Sequence, residues 1–356
     1  MAPFQGAIPV LSMNISARGH RFGRPNVLQR HFHGPVRFPG SNWQWWVADE
    51  ERALSAACRM DAFLKDAQKS QGVHTLRTFK GRSIYRLHDS AGDFFAKRIP
   101  LLTLRKRIGA LTGHQNALLG FDHGSAEVNN TLFLNEKTGY GLPVYCLGEY
   151  QQHGLPLQQL LIQPWLGDSV GLKTLWQTAT PEHRRRLLPH IEKVLTALHD
   201  ARLLHMDLHG GNIMIDENDV TPGLHVIDCD KMAIHVAHPQ LATALHVGKL
   251  LRELEGRHPK DFSRLLTLAY SMQSRITGAD QLDEEVKTLL AISLRYRMSK
   301  TISRRRLVMA SDGSVERKGL EARARRTYKN ADMPPIDWSQ LPSSNQEPDG
   351  ILSAPY

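Results

Sequence analysis

The sequence predicts an α+β protein in which a small strand-rich part precedes a larger helical part with a strand pair inside it. Three observations carry this. Residues 73–99 read as three short strands, populated by Val, Thr, Phe, Ile and Tyr, with turns at Lys80-Gly81 and around Ser90 to Gly92. After Thr180, Leu187, Leu188, Ile191, Val194, Leu195 and Leu198 recur on one helical face. Two short apolar stretches, 212–216 and 224–228, then read as strands before helical patterns resume from about 240 to 300.

Taken in order, residues 1–47 are rich in Pro, Gly, His, Arg and aromatics and show neither a helix nor a strand period. The stretch 48–68 opens with acids and spaces Leu54, Ala57, Cys58, Asp61 and Leu64 as a helix, with Asp61 alone breaking the apolar stripe. The three strands follow, then a mostly helical 101–137 and apolar stretches at 142–150 and 158–166. Thr180-Pro181-Glu182 is a helix start: a capping hydroxyl, a proline in the first turn, then an acid at the positive end of the dipole. Residues 303–330 are strongly basic, and the Pro- and Ser-rich end from Met333 reads as unstructured. The chain divides into an arm and helix (1–70), a sheet-rich part (71–166), a helical part (167–302), and a basic segment with a flexible tail (303–356).

Composition narrows the function classes. With 356 residues, 41% hydrophobic and 22% charged, the chain has the make-up of a globular protein. A formal net charge of +10 points to an anionic partner or to solubility. Cys58, Cys146 and Cys229 are widely spaced and odd in number, which argues against a disulfide framework and for a reducing compartment. The N-terminus reads poorly as a secretory signal, and no apolar run is long enough to cross a bilayer. The expectation is a cytoplasmic protein with peripheral membrane contact allowed.

The chemistry concentrates in "HMDLHGGNIMID" (205–216) and "HVIDCDKM" (225–232). Acids beside apolar strands are costly unless a metal, a counter-charge or a reaction uses them. Asn212 follows Asp207 by five residues, and Asp228 follows it by twenty-one. A phosphotransferase of the kinase type needs this set: a carboxylate to hold the acceptor hydroxyl, then an amide and a second carboxylate to hold Mg2+. It also needs a cation on the non-transferring phosphates. Lys97, ending the third strand in "FFAKRI", is the candidate; Glu127 is its candidate ion partner, and Glu136 competes. "FKGRS" (79–83) stands where a phosphate loop would, with Gly81 as its one glycine, and does not match G-x-G-x-x-G. His205 reads as a brace for the loop and not as a catalyst.

With these residues in hand, the stretch from about 73 to 255 resembles the bacterial lipopolysaccharide core kinases, the Kdo kinase and heptose kinase family with protein-kinase-like folds. The resemblance is carried by Lys97, Glu127, "HMDLHGGNIMID", "VIDCDKMAI" and the helix "ALHVGKLLREL". It implies two lobes, a small sheet-rich one and a larger helical one, and ATP- and Mg2+-dependent transfer to a sugar hydroxyl of the inner core. The acceptor it implies is the lipid A–core glycolipid, met at the cytoplasmic face of the inner membrane. It further implies Asp207 as base, Asn212 and Asp228 as metal ligands, and Lys97 as phosphate anchor, with Asp230 able to reach the metal through water.

Other readings remain in view. "HMDLHGGN" also resembles the motif of aminoglycoside and choline phosphotransferases, but "KMAIHVAHPQL" lacks that family's acidic follow-on, and the chain is basic. A non-catalytic, kinase-shaped scaffold would be favoured had a phosphotransfer residue been replaced, and none is. The Arg runs at 184–186 and 304–306 come without a nucleic-acid recognition motif, so no nucleic acid is expected. No H-E-x-x-H or tight Cys/His set suggests zinc. Trp43, Trp45 and Trp46 suit either a bilayer interface or the packing of an added segment, and Arg304, Arg305, Arg306, Arg323, Arg325 and Arg326 suit either an anionic membrane surface or a solvated tail.

Overall fold

The computed structural model describes residues 31–67, 71–112, 122–167, 169–216, 223–255, 262–298, 317–326, 330 and 332–340. It is a mixed α/β structure in two compact units. The first comprises Met1–Asn129 and Val144–Trp165, the second Asn130–Pro143 and Leu166–Tyr356.

The first unit is built on a seven-stranded antiparallel sheet of β1 (Phe32–Val36), β2 (Trp43–Ala48), β3 (Val73–Phe79), β4 (Arg82–Asp89), β5 (Gly92–Pro100), β6 (Cys146–Gln152) and β7 (Leu155–Pro164). Its spatial order is β1-β2-β6-β7-β5-β4-β3. The turn between β3 and β4 is two residues long, with Phe79 paired to Arg82. Lys80 and Gly81 both have positive φ, 49° and 75°, as a tight hairpin turn demands. Helix α1 (Glu51–Lys65) packs on the same unit, and α2 (Leu104–Thr112) follows β5.

Residues 32–48 correct the reading of a period-free arm, since they form β1 and β2 and extend the sheet beyond β6. The pattern was invisible because Trp43, Gln44, Trp45, Trp46 and Val47 are all buried, so no polar face alternates with an apolar one. Trp45 is fully buried and stacks on Trp43, which favours segment packing over bilayer contact. Asp61, the residue that broke the α1 stripe, serves this packing. Its Oδ1 accepts from Trp45 Nε1 at 3.1 Å and from Ser41 Oγ, and its Oδ2 meets Lys65 Nζ at 2.8 Å.

The second unit has its own core around α5 (Pro181–Asp200). Thr180 Oγ1 accepts from His183 N at 3.2 Å, and the six predicted apolar residues of α5 are buried. Each contributes about 1.5–3 kcal/mol relative to exposure. The other helices are α3 (His123–Thr138), whose second half belongs here, α4 (Leu172–Thr178), α6 (Pro239–Glu255), α7 (Phe262–Thr277), α8 (Glu284–Arg295) and α9 (Arg317–Arg325). Short strands carry the loops: β8 (Val170–Gly171), β9 (Leu204–His205), β10 (Ile213–Asp216), β11 (Gly223–Val226) and β12 (Met232–Ala233). Sheet order is β11-β10-β8, with β9 paired to β12.

The C-terminal part departs from its composition. Residues 333–340, expected to be unstructured, include buried Met333 and Ile336, which join the core of the second unit together with α9's Leu320 and Ala324. Glu321 organises this segment. It accepts from Tyr296 Oη at 2.8 Å, Ile336 N at 2.8 Å and Trp338 Nε1 at 2.9 Å. Burial and Glu321 together push the Tyr296 hydroxyl's pKa up. Glu321→Ala should destabilise the protein by about 3 kcal/mol, since each buried donor left unsatisfied costs about 1–3 kcal/mol; a denaturant midpoint unchanged from wild type would refute the clamp. Arg323, Arg325 and Arg326 are exposed, whereas Arg304, Arg305, Arg306, residues 1–30 and the tail beyond 340 lie outside the described residues.

Among the described residues no helix is long and apolar enough to cross a membrane. All three cysteines are free thiols, with Cys58 exposed and Cys146 and Cys229 buried.

Candidate active site

In the first unit, β5 lies between β4 and β7, with Lys97 opposite Ile84 and Leu161. A strand in this position holds its side chains rigidly, and Lys97 points to α3. Its Nζ lies 2.9 and 3.1 Å from the two oxygens of Glu127. The Glu127 side chain is only 2% exposed, and a carboxylate so buried needs its partner charge. The start of α3 is held by Asp122, whose Oδ1 accepts from Ser125 N at 3.1 Å and from Gln159 Nε2 at 2.6 Å. Glu136, the competing carboxylate, meets Lys137 at 2.9 Å. Gly81 occupies the tight hairpin turn, where its φ of 75° favours a residue without a Cβ.

In the second unit, the two motif stretches are stitched together. Strand pairing sets His205 against Met232 and Leu204 against Ala233. Met206 N donates to Lys231 O at 2.9 Å, and Ile227 N donates to Asn212 O at 3.0 Å. Asn212 is buried, and its Nδ2 donates to the Asp207 carbonyl at 3.1 Å. That bond orients the carboxamide, with Oδ1 directed away from Asp207 O. The Lys173 amide at the start of α4 donates to Gly210 O at 2.9 Å and closes the loop from the other side.

β11 ends at Val226, two residues earlier than the sequence suggested, because Asp228 leaves the extended conformation. Its φ of 61° and ψ of 46° are left-handed. Asp adopts this region more readily than most residues, yet the conformation is costly and concentrates at functional sites. A short 3-10 turn, Cys229–Lys231, follows, and Asp230 within it is buried and pairs with Lys231 at 3.1 Å. Asn130 braces the turn, its Nδ2 donating to Cys229 O at 2.8 Å.

His205 is the brace of the loop. Its Nδ1 accepts from Asp207 N at 3.2 Å, so its proton sits on Nε2 and is donated to Ile227 O at 3.1 Å. Burial, the largest cause, drives its pKa down from 6.5 to about 4. Protonation would place a second N–H against the Asp207 amide. A depressed folded-state value contributes stability that is present above pH 6.5 and lost as pH falls towards 4. The gap is worth roughly 3 kcal/mol. Urea titrations from pH 7 to pH 4 should therefore show a smaller acid loss in His205→Gln than in wild type; equal slopes would rule the coupling out.

Three further residues of this site are not singled out by the spacing of the two motifs: Asn130, His246 and Lys249. His246 Nε2 accepts from His205 N at 3.0 Å, and Lys249 Nζ donates to Asp207 Oδ1 at 3.1 Å. A signal was present in α6, where His246, Lys249 and Glu253 share one face at spacings of three and four residues.

Among the described residues no three His, Cys, Asp or Glu side chains gather as a metal-binding group. Of the side chains on these loops, Asn212 and Asp228 offer one amide oxygen and one carboxylate. Such a set suits Mg2+, which takes one or two protein oxygens and completes its shell with phosphates and water.

No family model matches the chain, and no curated protein matches it. Among solved structures, one described as "WaaP in complex with acyl carrier protein" aligns at 15% identity and a TM-score of 0.37. The alignment covers 61% of this chain and 92% of that one.

Proposed function

We propose that the protein is an ATP- and Mg2+-dependent kinase of the two-lobed protein-kinase-like fold. Its acceptor would be a sugar hydroxyl of the lipopolysaccharide inner core, a Kdo or a heptose. The smaller lobe corresponds to residues 71–166 and the helical lobe to 167–302, with 1–70 and 303–356 as additions. One observation carries the phosphotransfer reading: Asn212 is hydrogen-bonded both to the Asp207 carbonyl and to the amide of Ile227, the residue that precedes the left-handed Asp228. An ordinary polar loop gives no reason for a strained Asp next to those bonds.

Each residue then has a task. Lys97, fixed by Glu127, anchors the α- and β-phosphates of ATP, and Gly81 lets the β3–β4 turn approach them. Asn212 Oδ1 and the Asp228 carboxylate would hold Mg2+, which would supply positive charge to the phosphate oxygens. Asp207 accepts the proton of the acceptor hydroxyl as its oxygen bonds to the γ-phosphorus and ADP departs. The glycolipid acceptor and an anionic membrane surface are the partners, at the cytoplasmic face of the inner membrane. The exposed Arg323, Arg325 and Arg326 support the membrane contact, each contributing about 1 kcal/mol near an anionic leaflet.

The test is incubation of the purified protein with labelled ATP, Mg2+ and rough lipopolysaccharide in anionic vesicles, beside a panel of small aminoalcohols. Label on the glycolipid alone supports the reading. Label on the aminoalcohols alone moves the acceptor to the small-molecule class, and no label on either, with folded protein, rejects a kinase.

A further inference from the structure

Helix α6 meets the Asp207 loop along one face. His246 Nε2 accepts from the His205 amide at 3.0 Å, and Lys249 Nζ donates to Asp207 Oδ1 at 3.1 Å, while Thr243 Oγ1 lies 2.9 Å from His199 Nδ1 of α5. Residues 246 and 249 of the helix thus engage residues 205 and 207 of the loop. The helix is itself firmly seated, because a Cβ at Gly248 would overlap Ser293 Oγ and approach Leu294 N to 2.9 Å.

We propose that Lys249 is the positioning residue of the phosphotransfer reaction, holding the Asp207 carboxylate in the orientation that receives the acceptor hydroxyl. This rests on Asp207 being the base. A surface ion pair would carry little weight, but both side chains are largely withdrawn from solvent, at 11% and 14% exposure. Backbone bonds fix the loop through the amides of 205, 206 and 207, yet they leave the Asp207 side-chain torsions undetermined. The donor at Oδ1 comes from Lys249, on a helix that cannot shift without displacing α8.

The experiment compares wild type, Lys249→Met, Lys249→Ala and Asp207→Ala, with deep-rough lipopolysaccharide and labelled ATP as substrates. Lys249→Met should lower kcat about 100-fold, the scale of a misplaced reacting group, with the KM for ATP unchanged. Added methylammonium should restore much of the activity of Lys249→Ala, and tetramethylammonium, which has the charge but no N–H, should not. Thermal midpoints check folding, and Lys249→Ala replaces Lys249→Met should the latter fail to fold. A folded variant with near wild-type kcat, a defect confined to the KM for ATP, or equal rescue by both ammonium ions would overturn the role. Silence of Lys249→Met beside an inactive Asp207→Ala removes the positioning role alone. Full turnover by Asp207→Ala removes both that role and the base on which it rests.

Discussion

Asp207→Ala is expected to lower turnover by about 10²–10⁴-fold, the range general-base catalysis supplies, while leaving the fold intact. The fold should survive because the loop is held by main-chain groups: Asp207 N to His205, and Asp207 O to Asn212. An Ala at 207 keeps both, and the loss of Lys249's carboxylate partner should show as a lowered unfolding midpoint of a still folded protein. Asp228→Asn should be comparably severe for a different reason. Asn tolerates the left-handed conformation that Asp228 adopts, so the backbone at φ 61° is preserved and only the charge is lost. Its defect should therefore fall on Mg2+–nucleotide affinity, read by titrating Mg2+ at fixed ATP. Asp230→Asn should do less, since Asp230 is engaged with Lys231. If Asp230→Asn is the more damaging of the two, the metal carboxylate has been misassigned. Near wild-type turnover by both Asp207→Ala and Asp228→Asn, with folding verified, would end the kinase reading.

The parts of this site that are readable in the sequence are those set by local spacing. Asp207, Asn212 and Asp228 lie on two neighbouring stretches, and the strands between them announce themselves as short apolar runs. Lys249 lies forty-two residues beyond Asp207, in a helix whose apolar residues are buried on nearly every face. A Lys there reads as a surface residue, because periodicity reports which residues are buried and not which carboxylate an ammonium meets. Asn130 is hidden in the same way by ninety-nine residues of separation from Cys229.

Fold elements were missed where burial defeats alternation. β2 shows no period of two because both of its faces are covered, and Asp61 spoils a helical stripe only to satisfy Trp45 and Ser41 inside the same unit. The Pro-rich stretch from Met333 has a disordered composition, yet Ile336 and Trp338 bring their own donors to Glu321. Composition averages over a window, whereas two apolar anchors and one buried carboxylate are enough to dock a short segment.

Lys97→Met separates stability from function in the first unit. Removing Lys97 alone leaves Glu127, 2% exposed, as a buried carboxylate without its counter-charge. Breaking one side of such a pair costs about 3–5 kcal/mol, so the single variant should be markedly destabilised whatever its catalytic role. Lys97→Met combined with Glu127→Leu removes both charges and fills the space with apolar atoms, which should return most of that stability. The two hypotheses then part. If the ion pair serves only the fold, the double variant recovers turnover along with its unfolding midpoint. If Lys97 anchors the phosphates, the double variant is stable but still turns over poorly, with a raised KM for ATP and a lowered kcat. Glu127→Gln should show a milder form of the same kinetic defect, because it retains a hydrogen-bond acceptor for Lys97 while giving up the charge that fixes it. A stable double variant with wild-type kinetics would remove Lys97 from the nucleotide site, leaving it a structural lysine on a central strand.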